Sequence, residues 1–262
     1  MFISLKFLRI STFGAILAVF LGTFAGPQAN AALIAEYMFD GNANDSSGNG
    51  YNGSLGGDAG FSAGQFGQAL ELDGSGDFVS VVLPTQTFSA FTIELWARSD
   101  QASPSGAPHL ISLNDANNFI VLWNPTSTSI DAYSTGLTNT NLTGNISPSI
   151  VPGEWFHLAY TWDGLEKTLY KDGELIGSTA ATGTLSPIDP GNPNFTIGAR
   201  YSEIHQFWDG AFDNVRVYDH ALSQSELGFY TDNVSSIPTP GNIAILCLGL
   251  AGLGFARRRR AA

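Results

Sequence analysis

The only cysteine in the chain is Cys247, so no intramolecular disulfide can form. Small exported domains commonly use that staple; here rigidity must come from an apolar core or a bound metal ion. Basic residues are nearly as scarce. Lys6 and Arg9 lie near the start and Arg257, Arg258, Arg259 and Arg260 near the end, leaving Arg98, Lys167, Lys171, Arg200 and Arg216 between them. Set against all 23 acids, the middle of the chain has a net charge of five minus 23, or −18. A surface of that sign repels phosphate backbones, which excludes nucleic acid and makes cations natural small partners. Charged residues of both signs make up 13%, against an average near ~25%. Glycine is abundant instead, with Asn, Ser and Thr between short apolar runs. This is the composition of a turn-rich β protein and excludes a helical bundle. The four histidines (His109, His157, His205, His220) are scattered, with no His-x-x-x-His pair and no Gly-x-Ser-x-Gly elbow. Zinc-hydrolase and serine-hydrolase chemistry therefore have no support. No glycine-rich loop opens a helix, so no nucleotide site is expected.

Both ends read as targeting segments. Residues 1–31 have a basic start, an apolar stretch over 10–24, Gly26-Pro27 and then Ala29-Asn30-Ala31. Small residues at −3 and −1 predict signal-peptidase cleavage after Ala31. At the other end Pro238-Thr239-Pro240 precedes an almost wholly apolar run over 243–255 and the four arginines. A helix over 242–256 would be about 22 Å long, shorter than a ~30 Å hydrocarbon core usually requires. The arginines would hold that end in the cytoplasm. This layout resembles the PEP-CTERM signal read by exosortases of Gram-negative bacteria, with Thr239 where that motif usually has Glu. A plain membrane anchor is the alternative. The expected organisation is a leader over 1–31, a folded domain over 32–233 and a sorting tail over 234–262.

Between the ends, strand signals recur over 33–39, 69–72, 78–83, 91–98, 119–123, 129–133, 155–162, 167–171, 174–178, 194–197 and 212–218, separated by Gly, Asn, Asp and Pro. Period-two alternation puts Ile93, Leu95 and Ala97 on one face and Thr92, Glu94, Trp96 and Arg98 on the other. Asp172-Gly173 between two strands predicts a type I′ hairpin. Ser223 and Glu226 form a capping box for one short helix. Many short strands without alternating helices predict an all-β sandwich or jelly roll.

Four stretches, read together, carry a family resemblance. They are Tyr37-Met38-Phe39-Asp40-Gly41-Asn42-Ala43-Asn44-Asp45; Leu70-Glu71-Leu72-Asp73-Gly74-Ser75-Gly76-Asp77-Phe78; Trp155-Phe156-His157-Leu158 continuing to Asp172-Gly173; and Asp209-Gly210-Ala211-Phe212-Asp213-Asn214-Val215-Arg216-Val217-Tyr218. In this order and spacing the chain resembles the laminin-G-like, concanavalin A-like jelly rolls over residues 33–231. The resemblance implies two facing antiparallel sheets, with first and last strands paired. It also implies adhesion or glycan binding, often with a structural calcium. Glycosidases of this superfold carry a strand with two spaced acids, Glu-x-Asp-x-x-Glu; here Glu94 stands alone, although a pair from distant strands stays open.

Two constellations could carry chemistry. Asp40, Asn42 and Asp45 are hard oxygen donors on glycine-relieved turns, as calcium requires. Asp213 shares parity with Val215 and Val217, which predicts a carboxylate on their apolar face, and terminal-strand pairing would bring it to Asp40. The alternative is a solvated Asx-rich turn. Sugars stack on aromatic rings, and Trp208, Tyr201 and Trp123 are the candidate platforms, although core packing is the commoner fate of a Trp. The reading is a non-catalytic, surface-delivered lectin-like module whose partners are extracellular polysaccharide and an exosortase-type enzyme. It would meet the membrane only through its tail. A structural adhesin and a glycoside hydrolase or lyase are the alternatives.

Overall fold

The computed structural model describes residues 32–83, 88–102, 106–113, 119–124, 128–146, 149–185, 194–200 and 206–231. The predicted leader, with Ala31, and the predicted sorting tail, with Pro238, Pro240 and the arginines, lie outside them. Among the described residues no helix is long and apolar enough to cross a membrane.

Among the described residues fifteen strands follow one another: β1 (Leu33–Tyr37), β2 (Ser54–Gly56), β3 (Gly60–Ala63), β4 (Gln68–Asp73), β5 (Phe78–Val82), β6 (Phe91–Ser99), β7 (His109–Leu113), β8 (Phe119–Asn124), β9 (Ser129–Tyr133), β10 (Asn141–Asn145), β11 (Trp155–Trp162), β12 (Glu166–Lys171), β13 (Glu174–Ala180), β14 (Asn194–Ile197) and β15 (Asp209–Tyr218). A 3₁₀ turn, Gln224–Glu226, and a one-turn helix, α1 (Gly228–Thr231), close the described chain. One sheet has the order β13-β12-β11-β6-β15-β4-β3, with β1 also on β15; the other runs β10-β9-β8-β7-β14-β5-β2. Every pairing is antiparallel.

The alternation read from the sequence sets the core. Ile93, Leu95 and Ala97 of β6 lie beside Tyr160, Leu158 and Phe156 of β11. They share one apolar cluster with Val79, Val81, Ile111, Leu113, Val121, Ile130, Phe195 and Ile197 of the facing sheet. The terminal strands pair as expected, Glu36 opposite Arg216 and Tyr37 opposite Val215. The hairpin joining β12 and β13 has positive φ at both Asp172 (51°) and Gly173 (75°), the backbone a type I′ turn needs.

The outer face of β6 is not left to solvent. Thr92, Glu94 and Trp96 are buried beneath the strap over residues 219–229. Thr92 Oγ1 donates to His220 O and accepts from Leu222 N, Gly228 N donates to Glu94 Oε2 at 2.7 Å, and Trp96 stacks on Phe229. Leu222 and Leu227 pack on Ala159 in a small cluster of their own. The Ser223–Glu226 capping box forms and starts the 3₁₀ turn within this strap.

One parity expectation is corrected. Asp213 pairs with Trp96 while Arg216 pairs with Glu94, so β15 fits an extra residue between them. Asn214, at φ 46°, sits in this bulge. Phe212 and Val215 therefore both reach the core, and Asp213 turns to the outer face beside Trp96, opposite to the face its spacing from Val215 predicted.

Candidate functional site

Five acidic side chains, Asp58, Glu71, Asp73, Asp77 and Asp209, line one groove at the Asp209 end of β15. The turn from β4 into β5, Asp73-Gly-Ser-Gly-Asp77, is tight because Asp77 Oδ2 accepts the Asp73 amide and Asp73 Oδ1 accepts that of Ser75. Asp77 Oδ1 accepts the Asp58 amide at 2.8 Å and so draws in the loop between β2 and β3. That approach needs glycine: at Gly57, φ 67°, a Cβ would stand 2.2 Å from Asp77 Oδ1. One oxygen from each of Asp58, Asp73 and Asp77 lies within 4.8 Å of the others. The β15–β4 pairing sets Asp209 opposite Asp73. Glu71, Phe61 and Ser62 complete a groove of about 450 Å³.

The carboxylates differ in how they are held. Asp77 is buried, and burial pushes its carboxyl above the ordinary range, against the two amide bonds and with the charges of Asp73 and Asp58. Glu71 is tied to Arg98 and Ser62, and Asp209 accepts from Gln101. Arg98 is further fixed by Asp100 and lies 5.6 Å from the centre of the half-buried Trp155 ring. Asp58, Asp73 and Asp77 present only oxygen donors on a backbone-locked turn, a set that fits a hard cation such as calcium. No spacing motif marked this group; the one sequence signal was a pair of Asp residues flanking Gly-Ser-Gly.

The sequence-predicted metal ligands are divided. Asp45 spends both oxygens on backbone: Oδ1 accepts from Glu36 and Ser47, Oδ2 from Tyr51. Burial works to raise its pKa, but these bonds outweigh that and hold it below the usual carboxylate range. Asn42 accepts from Asn44 N and donates to Asp40 O, as an Asx turn does. Asp40 and Asp213 do meet at one place, the turn before β4: Asp40 Oδ1 accepts from Gln68 N and Asp213 Oδ2 from Phe66 N, each at 2.8 Å. Gly67, φ 68°, lets the backbone pass, since a Cβ there would lie 2.3 Å from Asp40 Oδ1. Asp213 is fully buried and its Oδ1 has no hydrogen-bond partner among the described residues. Burial, then the nearby Asp40 charge, pushes its carboxyl up to about 6.

Of the proposed sugar platforms, Trp208 is corrected outright. It is 1% exposed, packs on Phe212 at 5.5 Å and donates Nε1–H to Arg98 O, so it belongs to the core. Trp123 pairs with Ile130 along β8 and β9, but its side chain lies outside the description, as does all of Tyr201.

No curated protein matches the chain by sequence. Among solved structures, it is similar to domain 4 of AbnA, an extracellular GH43 arabinanase from Geobacillus stearothermophilus solved with arabinotriose. The TM-score is 0.58 and the identity 22%, over 77% of this chain and 98% of that domain. It is also similar to the binding domain of Botulinum Neurotoxin DC in complex with SialylT, with TM-score 0.59 and 13% identity over 79% of this chain and 51% of the other. The binding domain of Paraclostridial Mosquitocidal Protein 1 gives 0.54 and 17%, over 77% and 51%. At these identities the likeness is one of fold, which agrees with the two-sheet architecture. The sequence itself matches the Laminin_G_3 family over residues 73–228, more than half its length, and the chain belongs to this Concanavalin A-like lectin/glucanases superfamily.

Proposed function

We propose that the domain is a non-catalytic glycan-binding module, with the acidic groove beside β3 and β4 as its ligand face. The observation that carries this reading is the convergence of Phe61, Ser62 and five carboxylates on one open groove. An aromatic ring with polar groups fixed around it is the usual chemistry of a sugar site. Domain 4 of AbnA, solved with arabinotriose, supports the assignment by analogy of fold. A calcium ion held by Asp58, Asp73 and Asp77 would neutralise the groove and offer coordination positions to sugar hydroxyls. A second, structural cation would sit at Asp40 and Asp213, where the unpartnered Asp213 Oδ1 favours it. In this reading the leader exports the chain, an exosortase-type enzyme sorts the tail, and the partner is extracellular polysaccharide at a Gram-negative surface. Tyr201 stays a proposed additional contact.

The test is binding to an exopolysaccharide array with calcium present. Phe61→Ala and Asp73→Asn should each weaken binding about tenfold, or about 1.4 kcal/mol. No binding to any polymer would replace this reading by a structural adhesin. A hydrolase or lyase reading rests on the raised Asp77 carboxyl. Both Asp77 oxygens already accept backbone amides, which favours a holding role. Release of reducing ends or double bonds, abolished by Asp77→Asn, would establish the catalytic alternative.

A further inference from the structure

The chain contains two Asn-Gly pairs, Asn49-Gly50 and Asn52-Gly53, three residues apart in one loop. Asn-Gly is the dipeptide most prone to self-modification, because glycine has no Cβ to hinder its nitrogen from reaching the preceding side-chain carbonyl. The fold treats the two pairs in opposite ways. The Gly53 amide donates to Ala43 O at 2.8 Å, and the Asn52 Oδ1 accepts from Asp45 N. Gly53 is also packed, since a Cβ there would lie 2.6 Å from Val79 Cγ1. The Gly50 amide makes no hydrogen bond among the described residues, both Asn49 and Gly50 are exposed, and a Cβ at Gly50 would meet nothing within 4 Å.

Asn49 also has a structural task. Its Nδ2 donates to Leu33 O at 2.9 Å and Ile34 O at 3.0 Å, on the edge of β1 that no strand covers among the described residues. Neighbouring side chains do the same work: Asp45 takes the Glu36 amide and Ser47 Oγ donates to Ile34 O. The loop thus caps an open sheet edge, the feature that otherwise invites pairing with another chain.

We propose that Asn49-Gly50 is a site of spontaneous deamidation that uncaps β1 as the protein ages. The Gly50 nitrogen, giving up its proton to solvent base, attacks Asn49 Cγ. A five-membered succinimide closes with the new N–Cγ bond, the Cγ–Nδ2 bond breaks, and the nitrogen leaves as ammonia after taking up a proton. Water then opens the ring at either carbonyl, giving aspartate or an isoaspartyl linkage at position 49, with no change of oxidation state. The donor that capped Leu33 O and Ile34 O becomes a carboxylate, an acceptor facing acceptors, so the cap is lost.

The full chain, folded, is held in mildly alkaline buffer beside a denatured sample, and both are peptide-mapped by mass spectrometry with isoaspartate detection. In the folded chain position 49 should react about tenfold faster than position 52, which must first break the Gly53 bond, the equivalent of about 1.4 kcal/mol. In the denatured sample the two rates should converge. Equal or faster reaction at position 52 in the folded chain overturns the proposal, and so does an intact Asn49 there while the denatured control reacts. Asn49→Asp should speed hydrogen exchange of the β1 amides and leave those of β11 unchanged. Unaltered β1 exchange would overturn the uncapping.

Discussion

Asp45 and Lys167 show two ways in which this chain satisfies a charge with backbone groups. Asp45 collects three backbone amides, from Glu36, Ser47 and Tyr51. It joins the C-terminal end of β1 to the loop that caps it. Asp45→Ala would leave those donors without a partner and should cost about 2–4 kcal/mol, read as a lowered denaturant midpoint with an unchanged slope. Lys167 is fully buried, and its ammonium donates to the carbonyls of Asn139 and Thr140, with no carboxylate bridging it among the described residues. Burial lowers its pKa to about 8 from 10.5. Between those two values the unfolded chain binds more protons than the folded one, so stability should rise with pH across that window. Below pH 8 both states hold the proton and the dependence from this group vanishes. Lys167→Met should flatten the rise when melting of the two proteins is compared from neutral pH to pH 10; parallel curves would show that the lysine is charged throughout.

At the scale of elements, the strap over residues 219–229 is bound to the outer face of β6 by a few specific contacts. Thr92 supplies two hydrogen bonds, to His220 O and from Leu222 N. Thr92→Val keeps the shape and removes both, so amides of residues 222–228 should exchange at least about tenfold faster while β11 stays protected. If β11 loosens equally, the strap is part of the cooperative core. Nothing in the sequence pattern alone separated this strap from the sandwich, although its capping box was plain in Ser223 and Glu226. The strands legible in advance were those with one apolar face, such as β6, β11 and β12. β7 was missed because His109–Leu113 is buried along its whole length and shows no alternation. β2, β3 and β10 were missed because they are short and contain glycine, and β10 is also flanked by Asn. The candidate site was less legible than the fold. Asp73 and Asp77 are neighbours in sequence, but Asp58 and Asp209 reach them only through strand pairing and loop closure. The Asp213 parity failed on a single inserted residue, which period-two counting cannot see.

For the whole molecule, β15 joins the two ends that matter. Its first residue, Asp209, borders the groove, and its last, Tyr218, lies beside Leu33 at the start of β1. Ten residues at about 3.4 Å each separate the poles by roughly 30 Å. A domain held by its C-terminal tail and gripping polymer in the groove would carry load along β15. Its bonds to β6 on one side and to β4 and β1 on the other would then resist together, in shear. Pulling on the two chain ends acts differently. Ala32 and Asp219 are hydrogen-bonded neighbours, so β1 would be unzipped from β15 one pair at a time, after the strap has peeled away. Single-molecule pulling between a handle at Ser75, in the groove turn, and the C-terminus should therefore need a higher force to unfold the sandwich than pulling between the two ends. Calcium should widen the gap if Asp58, Asp73 and Asp77 hold the ion, since a ligand of the native state alone stabilises it. Asp77→Asn should remove that calcium increment, as well as the shift in melting temperature between calcium and chelator, whereas Asp213→Asn should leave the groove increment in place. Equal forces in the two geometries would mean that β15 does not carry the load between the groove and its Tyr218 end.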